Sequence, residues 1–447
     1  MLAAALVGML LAFRNTRSFI AFLFVMGVFR FETDVGDTVG GSSNLSSLWM
    51  LWLIVLCLFA LLREKVFRHK PTAPEMFYGL FLLWCAIEAG LSDNVAFAAR
   101  MHLKLLYPFL VMLLARLVVD NGSIASSLLT KLLLTVGVVC MLIGGPAIRL
   151  APSVLLTLAP VFWPGAAFAD CAAIMTPVAL SCWRLFGKRR YLALALLLGT
   201  SSLLGFIRTG VAATAIGVSV FAILEFGKRS LPLVLIIYLG SVSAFFALPE
   251  MREKMFVDSS GMRLGDAINP TSIDYKNIQS SGRFAVWQEA MDRFFWDNPA
   301  VGSGLGTTQA WFYRGGYPGL LVEHSEYVRL LCDTGIIGLT LFLVMIASCM
   351  VALWRVYRFA GHPLARYFAL MGLSMFPAYL FCMGFDNVLN YALPAGQYPF
   401  AFTGAAIGLC RALRNKRIES TAYPPPTVTN PLRENEFAAK APKSPNP

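Results

Sequence analysis

The sequence predicts an all-α polytopic membrane protein, and two observations carry that prediction. Hydrophobic residues make up 57% of the 447 residues and charged residues only 14%, whereas a soluble domain has about a quarter charged residues. Apolar runs long enough to cross a bilayer recur along most of the chain. Because lipid offers no partners to unpaired backbone groups, spanning segments of this kind must be helical.

Thirteen apolar segments follow one another along the chain, and the first two are short for a span. We therefore predict about 12 transmembrane helices. The segments are 2–13, 18–30, 45–62, 76–91, 95–119, 123–145, 166–186, 190–207, 210–226, 231–248, 336–354, 367–385 and 397–410.

Basic residues are concentrated in alternate loops, as the positive-inside rule requires of the cytoplasmic side. These residues are Arg14, Arg17, Arg63, Lys65, Arg68, Lys70, Lys188, Arg189, Arg190, Lys228, Arg229, Arg355, Arg358, Arg366, Arg411, Arg414, Lys416 and Arg417. The alternation places residues 249–335 outside as one large, partly helical loop, which is periplasmic in a Gram-negative cell. Residues 1–248 and 336–410 form the N-terminal and C-terminal transmembrane helices. Residues 411–447 form a cytoplasmic tail, which its proline-rich, polar composition predicts to be disordered.

Composition also excludes several classes of function. The net charge of +12 fits the cytoplasmic loops and their contact with anionic lipid. The sequence contains no basic run with interleaved aromatic residues, so nothing in it indicates nucleic-acid binding. Most of the nine cysteines fall within predicted spans and have no metal-ligand spacing. We expect neither a metal nor a cofactor.

The external loop concentrates the residues that could do chemistry. Apolar residues recur at helical spacing over 281–297, and Arg283 lies in the first turn of that predicted helix. A guanidinium at a helix N-terminus favours an anion. The glycines of 302–306 predict a connection whose backbone can approach a ligand closely. A nucleotide-binding loop is disfavoured because no lysine follows them.

His324 is the strongest candidate for a general base. It is the only one of the four histidines in the external loop, and Glu323 and Glu326 flank it. A neighbouring carboxylate can hold a histidine in one tautomer and keep it reactive near neutral pH. Glu323 or Glu326 could serve as the base instead, with His324 binding sugar.

Arg208 is the second informative charge, because it interrupts an apolar stretch at the predicted outer face. Asp170, Asp386 and Asn387 are weaker candidates of the same kind. Four aromatic residues could stack on sugar rings or anchor the protein at the membrane interface. They are Trp287, Trp311, Tyr313 and Tyr327.

The chain resembles the O-antigen ligase and polymerase superfamily over about residues 190–410. The resemblance rests on an ordered set: Arg-Thr-Gly at 208–210, Ser-Gly-Arg with Trp at 281–287, Asn-Pro with Gly-x-Gly-x-Gly at 298–306, and His-Ser-x-Tyr leading into 333–338. Two positions depart from the family pattern. Ser325 stands where asparagine is commoner, and Ile207 stands where serine often precedes the arginine.

The resemblance implies a glycosyltransferase that uses a saccharide linked to a polyprenyl diphosphate such as undecaprenyl diphosphate. Arg208 and Arg283 would bind the diphosphate, and His324, with Glu326 as a second catalytic candidate, would activate the acceptor hydroxyl. It also implies metal-independent, inverting transfer in the bacterial inner membrane and contact with other polysaccharide assembly proteins.

The His-Ser form favours a polymerase of O-antigen or exopolysaccharide over a ligase that transfers the glycan to lipid A–core or protein. A flippase for the same lipid-linked material would need charges along a central path, and few interior charges are present. A non-catalytic scaffold would tolerate neutral substitutions at Arg208, Arg283 and His324 together.

Overall fold

The computed structural model describes residues 2–27, 45–118, 122–143, 165–204, 207–249, 253, 282–317 and 323–414. Every regular element within these ranges is helical, which confirms the all-α prediction for them. The helices are α1 (Leu2–Arg14), α2 (Thr16–Met26), α3 (Leu45–Arg63), α4 (Ala73–Leu91), α5 (Val95–Val118), α6 (Gly122–Ile143), α7 (Gly165–Phe186), α8 (Arg189–Leu204), α9 (Arg208–Phe226), α10 (Leu231–Ala247), α11 (Arg283–Phe294), α12 (Thr307–Tyr313), α13 (Glu326–Phe359), α14 (Pro363–Phe385) and α15 (Gln397–Arg414). The predicted disorder of the tail beyond 414 lies outside the described residues.

Five helical stretches of the described chain are long and apolar enough to cross a membrane. They are Ala73–Leu91, Val95–Leu117, Arg208–Ala244, Glu326–Phe359 and Pro363–Phe385. The third runs from α9 through the 3-10 turn Gly227–Ser230 into α10. Length and composition thus support a multi-pass protein, and the count of about 12 spans stays a prediction.

Helix α14 lies at the centre of the bundle and is the most buried of the five. It packs against α7, α9, α13 and α15. Helix α15 in turn packs closely on α5, because Gly404 and Gly408 present no side chain there. A Cβ atom at Gly404 would lie 2.0 Å from the carbonyl oxygen of Met112, and one at Gly408 would lie 2.0 Å from that of Arg116. Small residues spaced four apart allow this close packing of helices in lipid.

Helix α13 is interrupted at Gly335, which adopts φ 65° and ψ −171°. The segment that precedes α13 in the chain docks at this break: the backbone N–H of Ile336 donates to the carbonyl of Pro299 at 2.9 Å. Asp333 accepts hydrogen bonds from the backbone N–H groups of Gly306 (2.8 Å) and Thr308 (2.9 Å) and from the Thr308 hydroxyl (2.6 Å). The part of the loop nearest the membrane is thereby fixed to a long apolar helix.

The glycines of this turn approach the protein's own backbone. A Cβ atom at Gly302 would lie 2.6 Å from the nitrogen of Gly335, and one at Gly306 would lie 2.7 Å from the nitrogen of Ala98 in α5. Their role in the described structure is therefore to seat the loop on α13 and α5. The expected approach of this turn to a ligand stays a prediction.

Helix α11 corresponds to the amphipathic helix predicted over 281–297. It begins after Gly282, which adopts φ 74°, and its Val286, Ala290 and Phe294 are buried. Phe284, which was expected on the apolar face, is 63% exposed. The helix is fixed to the start of α13 because the indole N–H of Trp287 donates to the carbonyl of Glu323 at 2.7 Å.

Candidate active site

His324 lies immediately before α13 in a left-handed backbone conformation, with φ 54°. The next residue, Ser325, is extended and caps the helix by accepting from the backbone N–H of Val328 at 3.5 Å. The change from a left-handed residue to an extended cap lets the chain turn sharply into α13. It leaves the imidazole partly exposed, with 30% of the side-chain surface accessible.

The carboxylate beside His324 comes from the end of α14. Nδ1 of His324 lies 3.8 Å from Oδ1 of Asp386 and 3.2 Å from the side-chain amide nitrogen of Asn387. Asp386 is nearly buried, and its Oδ1 also accepts from the backbone N–H of Asn387 at 2.7 Å. At 3.8 Å the Asp386 carboxylate makes no hydrogen bond to the ring, and the amide nitrogen of Asn387, which can only donate, contacts Nδ1 as its acceptor.

Arg283, the first residue of α11, contacts the same end of α14. Its Nη1 donates to the carbonyl of Phe385 at 2.7 Å, one residue before Asp386. Burial lowers the pKa of the Arg283 guanidinium, and the negative charges of Asp386 and Asp170 raise it. An arginine so placed stays protonated at neutral pH.

Arg208 is the first residue of α9 and lies close enough to Arg283 for their charges to repel. Asp170 of α7 is fully buried and acts electrostatically on both Asp386 and Arg283. The structure therefore gathers two guanidinium groups, two carboxylates and one imidazole from α7, α9, α11, α14 and the start of α13. Two adjacent cations of this kind favour a ligand with more than one negative charge.

Glu323 and Glu326 do not provide the carboxylate next to the imidazole. Both are fully buried and lie against Arg329. Oε1 of Glu326 also accepts from the backbone N–H of Leu389 at 2.7 Å. This geometry does not favour either residue as the base.

The aromatic candidates divide into two groups. Trp287 lies beside the site, with its ring centroid 6.5 Å from that of Phe385. The Tyr327 hydroxyl donates to the carbonyl of Leu380 at 2.9 Å, so it helps to hold α13 on α14.

Trp311 and Tyr313 belong to α12. Trp311 packs edge-on against Phe294 and Phe312. Tyr313 is exposed and its ring lies 5.6 Å from that of Phe97. These two residues contact the base of the loop, and no described contact joins them to His324.

Among the described residues, no group of three or more His, Cys, Asp or Glu side chains could hold a metal ion.

The residue that sequence reasoning ranked too low is Asp386. Its signal was a carboxylate directly after the apolar segment 367–385, with an amide next to it.

A family model described as O-Antigen ligase matches residues 192–343. The matched stretch begins within α8 and ends within α13, and it contains Arg208, Arg283 and His324. The resemblance to the O-antigen ligase and polymerase superfamily is thereby confirmed. No match was found among curated proteins.

Proposed function

Starting from the O-antigen ligase relationship of residues 192–343, we propose that this protein is a membrane glycosyltransferase. It transfers a saccharide from a polyprenyl-diphosphate-linked donor to an acceptor hydroxyl at the external face of the bacterial inner membrane. The observation that carries the proposal is the contact of the Arg283 guanidinium with the end of α14, where Asp386 faces His324. The anion-binding group contacts Phe385 and the base lies beside Asp386, so two neighbouring residues at the end of α14 bring the two groups together.

The diphosphate of the donor binds to Arg208 and Arg283. Guanidinium groups form paired hydrogen bonds with phosphate oxygens, and two of them match the two phosphates. Negative charge grows on the leaving diphosphate as the glycosidic bond breaks. Electrostatic stabilisation that strengthens at this point can lower the barrier by several kcal/mol.

His324 activates the acceptor. The acceptor oxygen attacks the anomeric carbon while the imidazole of His324 takes the hydroxyl proton, and the bond from the anomeric carbon to the diphosphate oxygen breaks. The polyprenyl diphosphate leaves with the electron pair, and the imidazolium later returns its proton to solvent. A single displacement of this kind inverts the anomeric configuration. Asp386, whose carboxylate lies 3.8 Å from Nδ1, stabilises the imidazolium by its negative charge.

Polymerase and ligase share this chemistry and differ only in the acceptor. The Ser325 variant of the family's His-Asn pattern favours a polymerase that joins repeat units, which would build O-antigen or exopolysaccharide. The alternative is a ligase that transfers the glycan to lipid A–core or protein. In either case the partners are the lipid-linked donor, the glycan or lipid acceptor and the surrounding bilayer.

The test uses purified wild type and three variants, His324→Ala, Arg208→Ala and Arg283→Ala. Each is incubated with lipid-linked repeat units, with and without lipid A–core, and the products are separated on a gel. A ladder from repeat units alone establishes a polymerase, and product only with lipid A–core establishes a ligase. We expect His324→Ala to lose about two to four powers of ten in rate.

Arg293→Ala is the matched control, because Arg293 lies on α11 as Arg283 does but stacks over Trp311 at 5.3 Å. It should keep nearly full activity. Unchanged product in all three site variants would show that this site is not the active site. A wild type that makes no product, but moves lipid-linked saccharide between leaflets of a vesicle, would favour a flippase.

A further inference from the structure

A buried charged cluster, formed by Glu323, Glu326 and Arg329, adjoins His324 and has no part in the transfer chemistry. All three side chains are at most 1% exposed. Nε of Arg329 lies 3.4 Å from Oε1 of Glu323, and its guanidinium also contacts the Glu326 carboxylate. Burying three charges costs desolvation energy, which apolar residues of the same volume would avoid. A fold that retains them therefore gains something other than stability.

The cluster holds the chain on both sides of His324. Glu323 precedes the histidine, and its carbonyl accepts from the Trp287 indole. Glu326 follows it and is the first residue of α13. His324 itself has the left-handed φ of 54°, which a residue other than glycine keeps only when its surroundings enforce it. Arg329, one turn into α13, forms ion pairs with both neighbours and so fixes this turn.

The cluster also holds the partner of His324. Oε1 of Glu326 accepts from the backbone N–H of Leu389, in the segment 386–390 that follows α14. Lys104 of α5 donates to the side-chain oxygen of Asn390 at 2.7 Å. The Lys104 charge also acts on Glu326, so two carboxylates face two cations. The segment that presents Asp386 is thereby fixed to the segment that presents His324.

We propose that Glu323, Glu326 and Arg329 form a positioning cluster that sets the separation of His324 from Asp386. Glu326 then acts through the histidine and not as the base. This inference rests on the proposed transferase function. It assigns to these three side chains an effect on turnover and none on donor binding, which belongs to Arg208 and Arg283.

The test compares wild type with a neutral triple variant, Glu323→Gln, Glu326→Gln and Arg329→Met. The triple substitution keeps side-chain volume and removes charges of both signs together. Asp333, on which the Arg329 charge also acts, keeps its hydrogen bonds from Gly306 and Thr308, so the protein should still fold. A matched control neutralises the Arg184–Glu225 pair, whose Nε–Oε1 distance is 2.9 Å, as Arg184→Met with Glu225→Gln. Glu225 lies 17 residues along α9 from Arg208, which is about 26 Å at 1.5 Å per residue.

We expect the triple variant to lose about 10- to 100-fold in kcat, because small misplacements of a catalytic group cost that much. Its dissociation constant for fluorescent lipid-linked donor should stay within about threefold of wild type, since the arginines are intact. The control variant should match wild type both in kcat and in its dissociation constant for the donor. An unchanged kcat in the triple variant would overturn the proposal. So would a loss of donor binding in parallel with kcat and Tm.

A second measurement separates this inference from the proposed function. Diethyl pyrocarbonate modifies accessible imidazoles, and mass spectrometry resolves His324 from the other three histidines. The modification rate of His324 should change in the triple variant and not in the control. An inactive wild type would refute the transferase proposal alone. An unchanged His324 rate would refute the positioning cluster, whatever the activity.

Discussion

The backbone of His324 shows how much of the site is determined at the level of single residues. A non-glycine residue held at φ 54° stores about 1 kcal/mol or more of strain. In this conformation the imidazole lies 3.8 Å from Asp386, the residue that follows α14. The conformation is thus a direct contribution of the fold to the reactivity of one side chain.

The substitution Asp386→Asn tests this pairing. Asparagine carries no negative charge to stabilise the imidazolium, so kcat should fall by about two to three powers of ten. KM for the donor should not rise, because Asp386 also offsets part of the Arg283 charge and its loss strengthens binding of the diphosphate. Steady-state kinetics with lipid-linked donor would measure both constants.

Asp93→Asn is the control for this prediction, since Asp93 is an exposed carboxylate in the connection between α4 and α5. It should leave both constants unchanged. A raised KM with a normal kcat in Asp386→Asn would indicate that Asp386 organises donor binding and has no role at the imidazole.

At the scale of elements, the break in α13 determines how the external loop is placed. Gly335 interrupts the helix where 299 and 300 dock, and the first turns of α13 continue from there towards His324. Asp333 fixes the glycine turn from the same helix. The loop and the helical bundle are therefore joined through contacts at α13.

Gly335→Ala should disrupt this docking. The added Cβ would lie 2.2 Å from the carbonyl oxygen of Ala300, and the φ of 65° is unfavourable for alanine. We expect a loss of roughly 2–4 kcal/mol in stability, seen as a lower Tm in detergent, together with reduced activity. Gly361→Ala is the matched control, because nothing lies within 4 Å of its Cβ position. Equal Tm values for the two variants would contradict the docking.

The helical spacing of apolar residues was enough to locate α11, because the pattern of an amphipathic helix is recognisable within about a dozen residues. It failed to identify the buried face, since Phe284 is exposed and Ala290 is buried against residues far along the chain. The glycine turn was recognised as a place of close approach. Its partners, Gly335 and Ala98, could not be predicted because they depend on tertiary packing.

The same limit applies to the candidate site. Arg208, Arg283 and His324 were selected by residue type and sidedness. The pairing of His324 with Asp386 joins residues 62 positions apart. Glu323 and Glu326 lie one and two positions from His324 in the sequence, yet both side chains are buried against Arg329. Sequence reasoning therefore indicated which residues belong to the site, but it could not indicate which of them are in contact.

At the scale of the whole molecule, the site lies at one end of the bundle. The connection between α4 and α5 is at this end, since Oγ of Ser92 lies 3.4 Å from Oγ1 of Thr307 in the loop. The connection between α13 and α14 is at the other. From Ile336 to Phe359, α13 is 24 residues long, or about 36 Å, enough to cross the hydrocarbon core.

These two connections test the predicted orientation. Asp93→Cys and Gly361→Cys would each place a thiol at an exposed position at one end. If the site faces the outside, a membrane-impermeant maleimide should label Asp93→Cys in intact cells and label Gly361→Cys only after permeabilisation. The unsubstituted chain gives the background, which should be low because eight of its nine cysteines are buried and Cys410 is only partly accessible. The reverse labelling pattern would put His324 and both arginines on the cytoplasmic side, where a donor already carried to the outer leaflet could not reach them.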